Sequence, residues 1–70
     1  MDQAEKDKLR VLLDYWVEHN TEHGEEFREW AEKAKSFGET GVHDGLMEAC
    51  EEMGKANSSL LRALEKLKGD

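Results

Sequence analysis

The sequence predicts an all-α fold, an antiparallel helical hairpin, on three observations. It contains no proline, and 39% of its 70 residues are charged. Alanine, leucine, glutamate and lysine are abundant, a composition that suits long helices. Apolar residues recur at alternating steps of three and four in both halves, the period of a helix face and not of a strand. A short segment between Gly38 and Gly41 separates the halves. A chain of this length makes one domain, residues 1–70.

The first helix is expected over about residues 3–37. Its seam runs Leu9, Leu13, Trp16, Asn20, His23, Phe27, Trp30, Ala34, Phe37. Gly38 follows as a left-handed stop. Thr40 is a candidate N-cap for the second helix, expected over about residues 41–68. That helix repeats the seam with Leu46, Cys50, Met53, Asn57, Leu60, Leu64 and Leu67. Lys66 and Lys68 suit its C-terminus, and Asp44 suits its first turns. His43 beside Asp44 is expected in solvent.

An alternative is a three-helix bundle with a break near residues 20–24, where Asn20 and Thr21 could cap and Gly24 disfavours helix. Length favours the hairpin. A break leaves a last helix of roughly 39 Å facing helices of roughly 23 Å at 1.5 Å per residue. Folding about the Gly38–Gly41 loop also sets Trp30 against Cys50, Phe27 against Met53, and His23 against Asn57. Interior polar residues thus meet each other, as buried polar groups require. In this reading Asn20, His23 and Asn57 form a polar core layer that fixes register, and Trp16 and Trp30 anchor the core.

One seam does not use all the apolar surface. Ala49, Ala56 and Ala63 recur at heptad spacing on one flank of the second helix, and Met47, Gly54 and Leu61 on the other. Leu12, Val17 and Ala31 flank the first seam. A short chain buries a modest core alone, so these edges predict self-association of two hairpins into a homodimeric four-helix bundle.

Charge and composition exclude several functions. Ten basic against seventeen acidic residues give a net charge of −7, which repels phosphate backbones and argues against nucleic acid. Apolar runs are too short for a membrane span. The acidic start, Met1 to Glu5, is unlike a signal peptide, and a cytoplasmic home is expected. The single cysteine, Cys50, has no cationic neighbour in sequence and reads as a buried thiol. The acidic run from Glu22 to Glu32 reads as a solvated face, softened by Glu29–Lys33 and Glu51–Lys55 pairs. No glycine-rich phosphate loop is present, and Ser36, Ser58 and Ser59 have no local base. A non-enzymatic interaction or oligomerisation module without a cofactor is therefore expected.

The alternative chemistry is metal binding. His19 and His23 stand four apart and share a helix face, Glu26 follows His23 by three, and Glu22 follows His19 by three. Imidazole and carboxylate at such spacing can ligate zinc or nickel, and a dimer would double the ligand set. The zincin pattern and the Glu-x-x-His pattern of di-iron bundles are both absent.

The stretch Lys8-Leu9-Arg10-Val11-Leu12-Leu13, then Trp16-Val17-Glu18-His19-Asn20, Glu22-His23 and Phe27-Arg28-Glu29-Trp30-Ala31, resembles a small uncharacterised prokaryotic helical domain of unknown function. With the alanine-rich second half, the resemblance covers nearly the whole chain. Relatives of that domain occur alone or after a histidine-rich linker beside a small nickel-binding module, and the present residues hold neither. The resemblance implies that His19, Asn20 and His23 are the positions to watch. Gly24 departs from a more helix-favouring residue there, which puts the continuity of the first helix in question.

Overall fold

A computed structural model describes residues 1–69. Two helices, α1 (Gln3–Ser36) and α2 (Thr40–Gly69), form an antiparallel hairpin. The described residues contain no strand. The three-helix alternative is not adopted, because α1 runs unbroken for 34 residues through Asn20–Gly24. Two local features carry it across. The Thr21 hydroxyl donates to the Val17 carbonyl one turn back at 2.9 Å, a bond that leaves it within the helix. Gly24 is buried against α2, so tertiary packing outweighs its propensity cost of about 1 kcal/mol.

The ends are set by local chemistry. Asp2 accepts from the Glu5 amide at 2.8 Å, and the Glu5 carboxylate accepts from the Asp2 amide at 3.4 Å. This capping box satisfies two orphan donors. At the other end the Glu39 amide donates to the Ala34 carbonyl at 2.9 Å, and the Gly38 amide donates to the Lys35 carbonyl at 3.0 Å. That pair of bonds is a Schellman motif, and Gly38 adopts the φ of +80° it requires. The first α2 bond runs from the His43 amide to the Glu39 carbonyl. Glu39, and not Thr40, therefore holds the N-cap position.

The seam of α1 is rotated from the expected one. The expected and observed seams share Leu13, Asn20, Phe27 and Ala34. Between them the structure turns Val17, Gly24 and Ala31 toward α2 and leaves Trp16 and Trp30 39% and 56% exposed. Either choice keeps the heptad steps of three and four, so periodicity alone does not separate them. Size does. Small residues let the helices approach closely; a Cβ built on Gly24 would lie 3.7 Å from the Met53 Cβ. The two tryptophans are therefore not core anchors of the hairpin, and Phe37 lies exposed beyond the last turn.

The α2 seam follows expectation, with Leu64 buried and Leu46, Cys50, Met53, Asn57, Leu60 and Leu67 half-buried. The resulting core is small. Only Leu13, Ala31 and Leu64 are buried hydrophobic side chains among the described residues, in a rod of 53 × 14 × 13 Å.

Candidate functional site

In an antiparallel pair of right-handed helices, the residues one position before each inward-facing residue lie on the same side of the hairpin. On α1 these are Trp16, His23 and Trp30, preceding Val17, Gly24 and Ala31. On α2 they are Ala49, Ala56 and Ala63, preceding Cys50, Asn57 and Leu64. The residues one position after are Glu18, Glu25, Glu32, Glu51, Ser58 and Glu65. The hairpin thus has one edge led by tryptophan, histidine and alanine, flanked by Glu26, Lys33, Glu52 and Lys66, and one edge richer in glutamate. The groove on the acidic side is lined by Thr21, Glu25, Arg28 and Glu32 of α1 with Cys50 and Gly54 of α2. Met47, Gly54 and Leu61 border this acidic side, so the two self-association edges expected from α2 face opposite ways.

At the middle of the aromatic edge, Tyr15, His19, His23 and Phe27 form a ladder at steps of four. Tyr15 stacks on His19 with centroids 5.5 Å apart, His19 meets His23 edge-on at 4.4 Å, and His23 stacks on Phe27 at 5.9 Å. The Nε2 atoms of His19 and His23 lie 3.0 Å apart, so one ring donates to the other. The second nitrogen of His23, Nδ1, lies 3.9 Å from a Glu26 carboxylate oxygen. Glu26 therefore lies on the far side of the ring from the nitrogen pair, beyond hydrogen-bond distance. Glu22 is exposed, and no hydrogen bond or ion pair joins it to either ring among the described residues. No group of three or more His, Cys, Asp or Glu side chains that could hold a metal ion lies among the described residues of one chain.

The expected pairing of His23 with Asn57 is not formed. The Asn57 amide donates to the Thr21 hydroxyl at 3.0 Å, because the rotated seam turns Thr21 toward α2 and His23 away from it. Asn57 Oδ1 is buried without a partner among the described residues. Asn20 is half-buried on the shared seam. The structure also brings together residues that sequence separation hid. The Arg28 guanidinium lies 3.8 Å from Cys50 Sγ, a cationic neighbour 22 positions away. His43 is only 21% exposed and pairs with Asp44 at 3.0 Å, in place of the expected solvated ring. Lys33 sits 4.2 Å over the Trp30 ring, while the expected Lys55–Glu51 pair stands at 4.0 Å.

A family model described as Domain of unknown function (DUF8180) matches residues 9–67. The chain belongs to that family. The match runs from Leu9 to Leu67, so the DUF8180 domain takes in most of both helices, the loop, the histidine ladder and the alanine edge. No curated protein and no solved structure matches the chain. The DUF8180 description assigns no function, so any chemistry rests on these residues. Among the described residues no helix is long and apolar enough to cross a membrane.

Proposed function

We propose that this DUF8180 chain is a non-enzymatic self-association module whose aromatic–alanine edge packs on a second copy to complete a four-helix bundle. The observation that carries this is surface left over by a core of three side chains. A folded 8.0 kDa monomer exposes about 4,450 Å² by size scaling, whereas this chain exposes 5288 Å². The excess, roughly 800 Å², is one partner's share of a standard interface. The edge has room for it: from Leu9 to Ala34 it runs about 38 Å, and two helices side by side are about 20 Å wide. Trp16 and Trp30 supply the large aromatic anchors that interfaces favour. The acidic side, by contrast, would set carboxylates against carboxylates, so Met47, Gly54 and Leu61 are left out of the interface.

Sedimentation equilibrium at tens of micromolar is expected to give twice the 8.0 kDa chain mass. Ala56→Glu places a charge at the centre of the edge and is expected to weaken the dimer at least about a hundredfold, with helicity retained. A wild-type monomer at that concentration would sink the proposal.

A second reading, a zinc- or nickel-binding accessory protein, is favoured by one observation: two imidazole nitrogens already 3.0 Å apart. A metal at about 2.05 Å from both would subtend roughly 94°, close to the right angle of square-planar or octahedral coordination. Titration with zinc or nickel followed by calorimetry tests it, and unchanged binding in the His19→Ala, His23→Ala double variant would place the metal elsewhere.

A further inference from the structure

Each helix carries its own two-fold pattern on the edge led by tryptophan, histidine and alanine. On α1 the ladder reads aromatic, imidazole, imidazole, aromatic, and it is symmetric about Thr21. Leu12 and Trp30, whole turns apart, point the same way, between His19 and His23 on the helix face. Turning a copy of α1 end for end about Thr21 brings His19 level with the copy's His23 and Leu12 level with its Trp30. Trp16 comes within one position of the copy's Phe27, on the flank nearer α2. On α2 the alanines are symmetric about Ala56. The same turn sets Ala56 against itself and Ala49 against the copy's Ala63. These alanines lie on the edge and not on the seam with α1, and their size allows close approach. The two centres coincide. The Asn57 amide bonds the Thr21 hydroxyl and Gly24 packs on Met53, so Thr21 stands level with Ala56 and Asn57. Two helices joined only by a loop thus specify one axis across the hairpin. The acidic residues on the outer flanks suit it too. Glu26 comes within one position of the copy's Tyr15, and Glu52 within one of its Ser59, each a carboxylate beside a hydroxyl donor.

Resting on the self-association reading above, we propose that the second copy docks end for end about this axis, α1 on α1 and α2 on α2, and that His19 and His23 select this docking. Apolar burial does not select it. The other two-fold arrangement, with its axis along the helices, covers the same edges but sets α1 on the copy's α2. Imidazole then meets alanine, with no polar group from the partner. A neutral imidazole has one N–H donor and one bare nitrogen. The contact between the Nε2 atoms at 3.0 Å uses one of each, so the two Nδ1 atoms of a chain offer one donor and one acceptor. A copy turned end for end offers them in the reverse order, donor toward acceptor. A polar pair matched in only one of two dockings fixes orientation, as single interior polar residues fix register in coiled coils.

The test uses the full chain with Cys50→Ser, metal-free and with a chelator present. Ala56→Cys sits on the axis and is expected to cross-link to itself under mild oxidation, since the two Cα atoms come within disulfide reach. Ala49→Cys and Ala63→Cys are expected to cross-link when the two proteins are mixed, and neither alone. Val11→Cys, at a position 68% exposed and away from this edge, sets the background from collision. Adding His19→Leu and His23→Leu to the Ala56→Cys chain is expected to keep the dimer and to lower its cross-linking at least about twofold, as both dockings fill. Glutamine at both positions, which keeps a donor and an acceptor, is expected to restore it. A dimer that cross-links at residue 56 no more than the background overturns the docking and leaves self-association standing. Undiminished cross-linking in the leucine variant overturns the role of the histidines. A monomer overturns both readings.

Discussion

At the scale of single residues, the contact between the helices is decided by size where periodicity leaves a choice. Leu13, Asn20, Phe27 and Ala34 belong to either seam, and they were readable from spacing. The choice of Val17, Gly24 and Ala31 over Trp16, His23 and Trp30 was not, because it depends on how closely α2 approaches. The polar pairing moved with it. Asn57 meets Thr21, which already bonds the Val17 carbonyl, and its own Oδ1 lacks a partner. Asn57→Leu removes a buried acceptor that is unsatisfied and strands no essential donor, so it is expected to stabilise the chain by about 1 kcal/mol. Thr21→Val instead leaves the Asn57 amide unpaired and is expected to cost about 1–2 kcal/mol. Urea melts of both variants check the pair, and a loss in Asn57→Leu would show that the amide is better satisfied than its geometry indicates. Gly24 offers a sharper contrast. Its Cβ position has ordinary van der Waals distances to Met53 and Cys50, 3.7 and 3.9 Å, so Gly24→Ala is expected to gain about 1 kcal/mol from helix propensity. Gly24→Leu would wedge the helices apart and lose stability.

At the scale of elements, the hairpin was largely legible: two long helices, a turn after Phe37, and bounds within a residue or two of those observed. The signals were short-range, which is why they survived. Gly38 was identified as the stop because a left-handed C′ position favours glycine, and its φ of +80° bears that out. Gly38→Ala is expected to cost about 1 kcal/mol, lowering the melting midpoint by roughly 4–8 °C, with the helical circular dichroism signal retained. The Asp2–Glu5 capping box was equally present in sequence, as Asp followed three positions later by Glu ahead of an apolar run. The possible break at residues 20–24 was harder to judge. Local preference favours capping there, and the packing of α2 against Gly24, with the Thr21–Val17 bond, decides for continuity. The same limit applies to Arg28 and Cys50, whose approach is a product of the hairpin and leaves no local trace.

At the scale of the whole molecule, the hairpin is a rod whose backbone extends 53 Å in length and 14 Å across, one layer of helix packed on one layer of helix. A shape like that exposes two broad faces, and the heptad arithmetic has given them opposite character. Tryptophan, histidine and alanine line one, beside Glu26, Lys33 and Glu52, and Glu18, Glu25, Glu32, Glu51 and Glu65 lie on the other. In the proposed dimer the glutamate-rich faces would be left outside, and with a net charge of −7 per chain they would repel further copies. If the edge is buried in this way, folding and association are one process. A hairpin with three buried hydrophobic side chains contributes little stability alone, so most of it should come from the second copy. Unfolding then converts one dimer into two chains, and the melting midpoint must rise with protein concentration. Each tenfold increase adds about 1.4 kcal/mol per dimer, or roughly 5 °C for a dimer of this size by the usual entropy per residue. Melting followed from 1 to 100 µM should therefore shift by about 10 °C. A midpoint that stays constant over that range would mean that the hairpin folds on its own, and that the tryptophans remain in water for a reason other than a second copy.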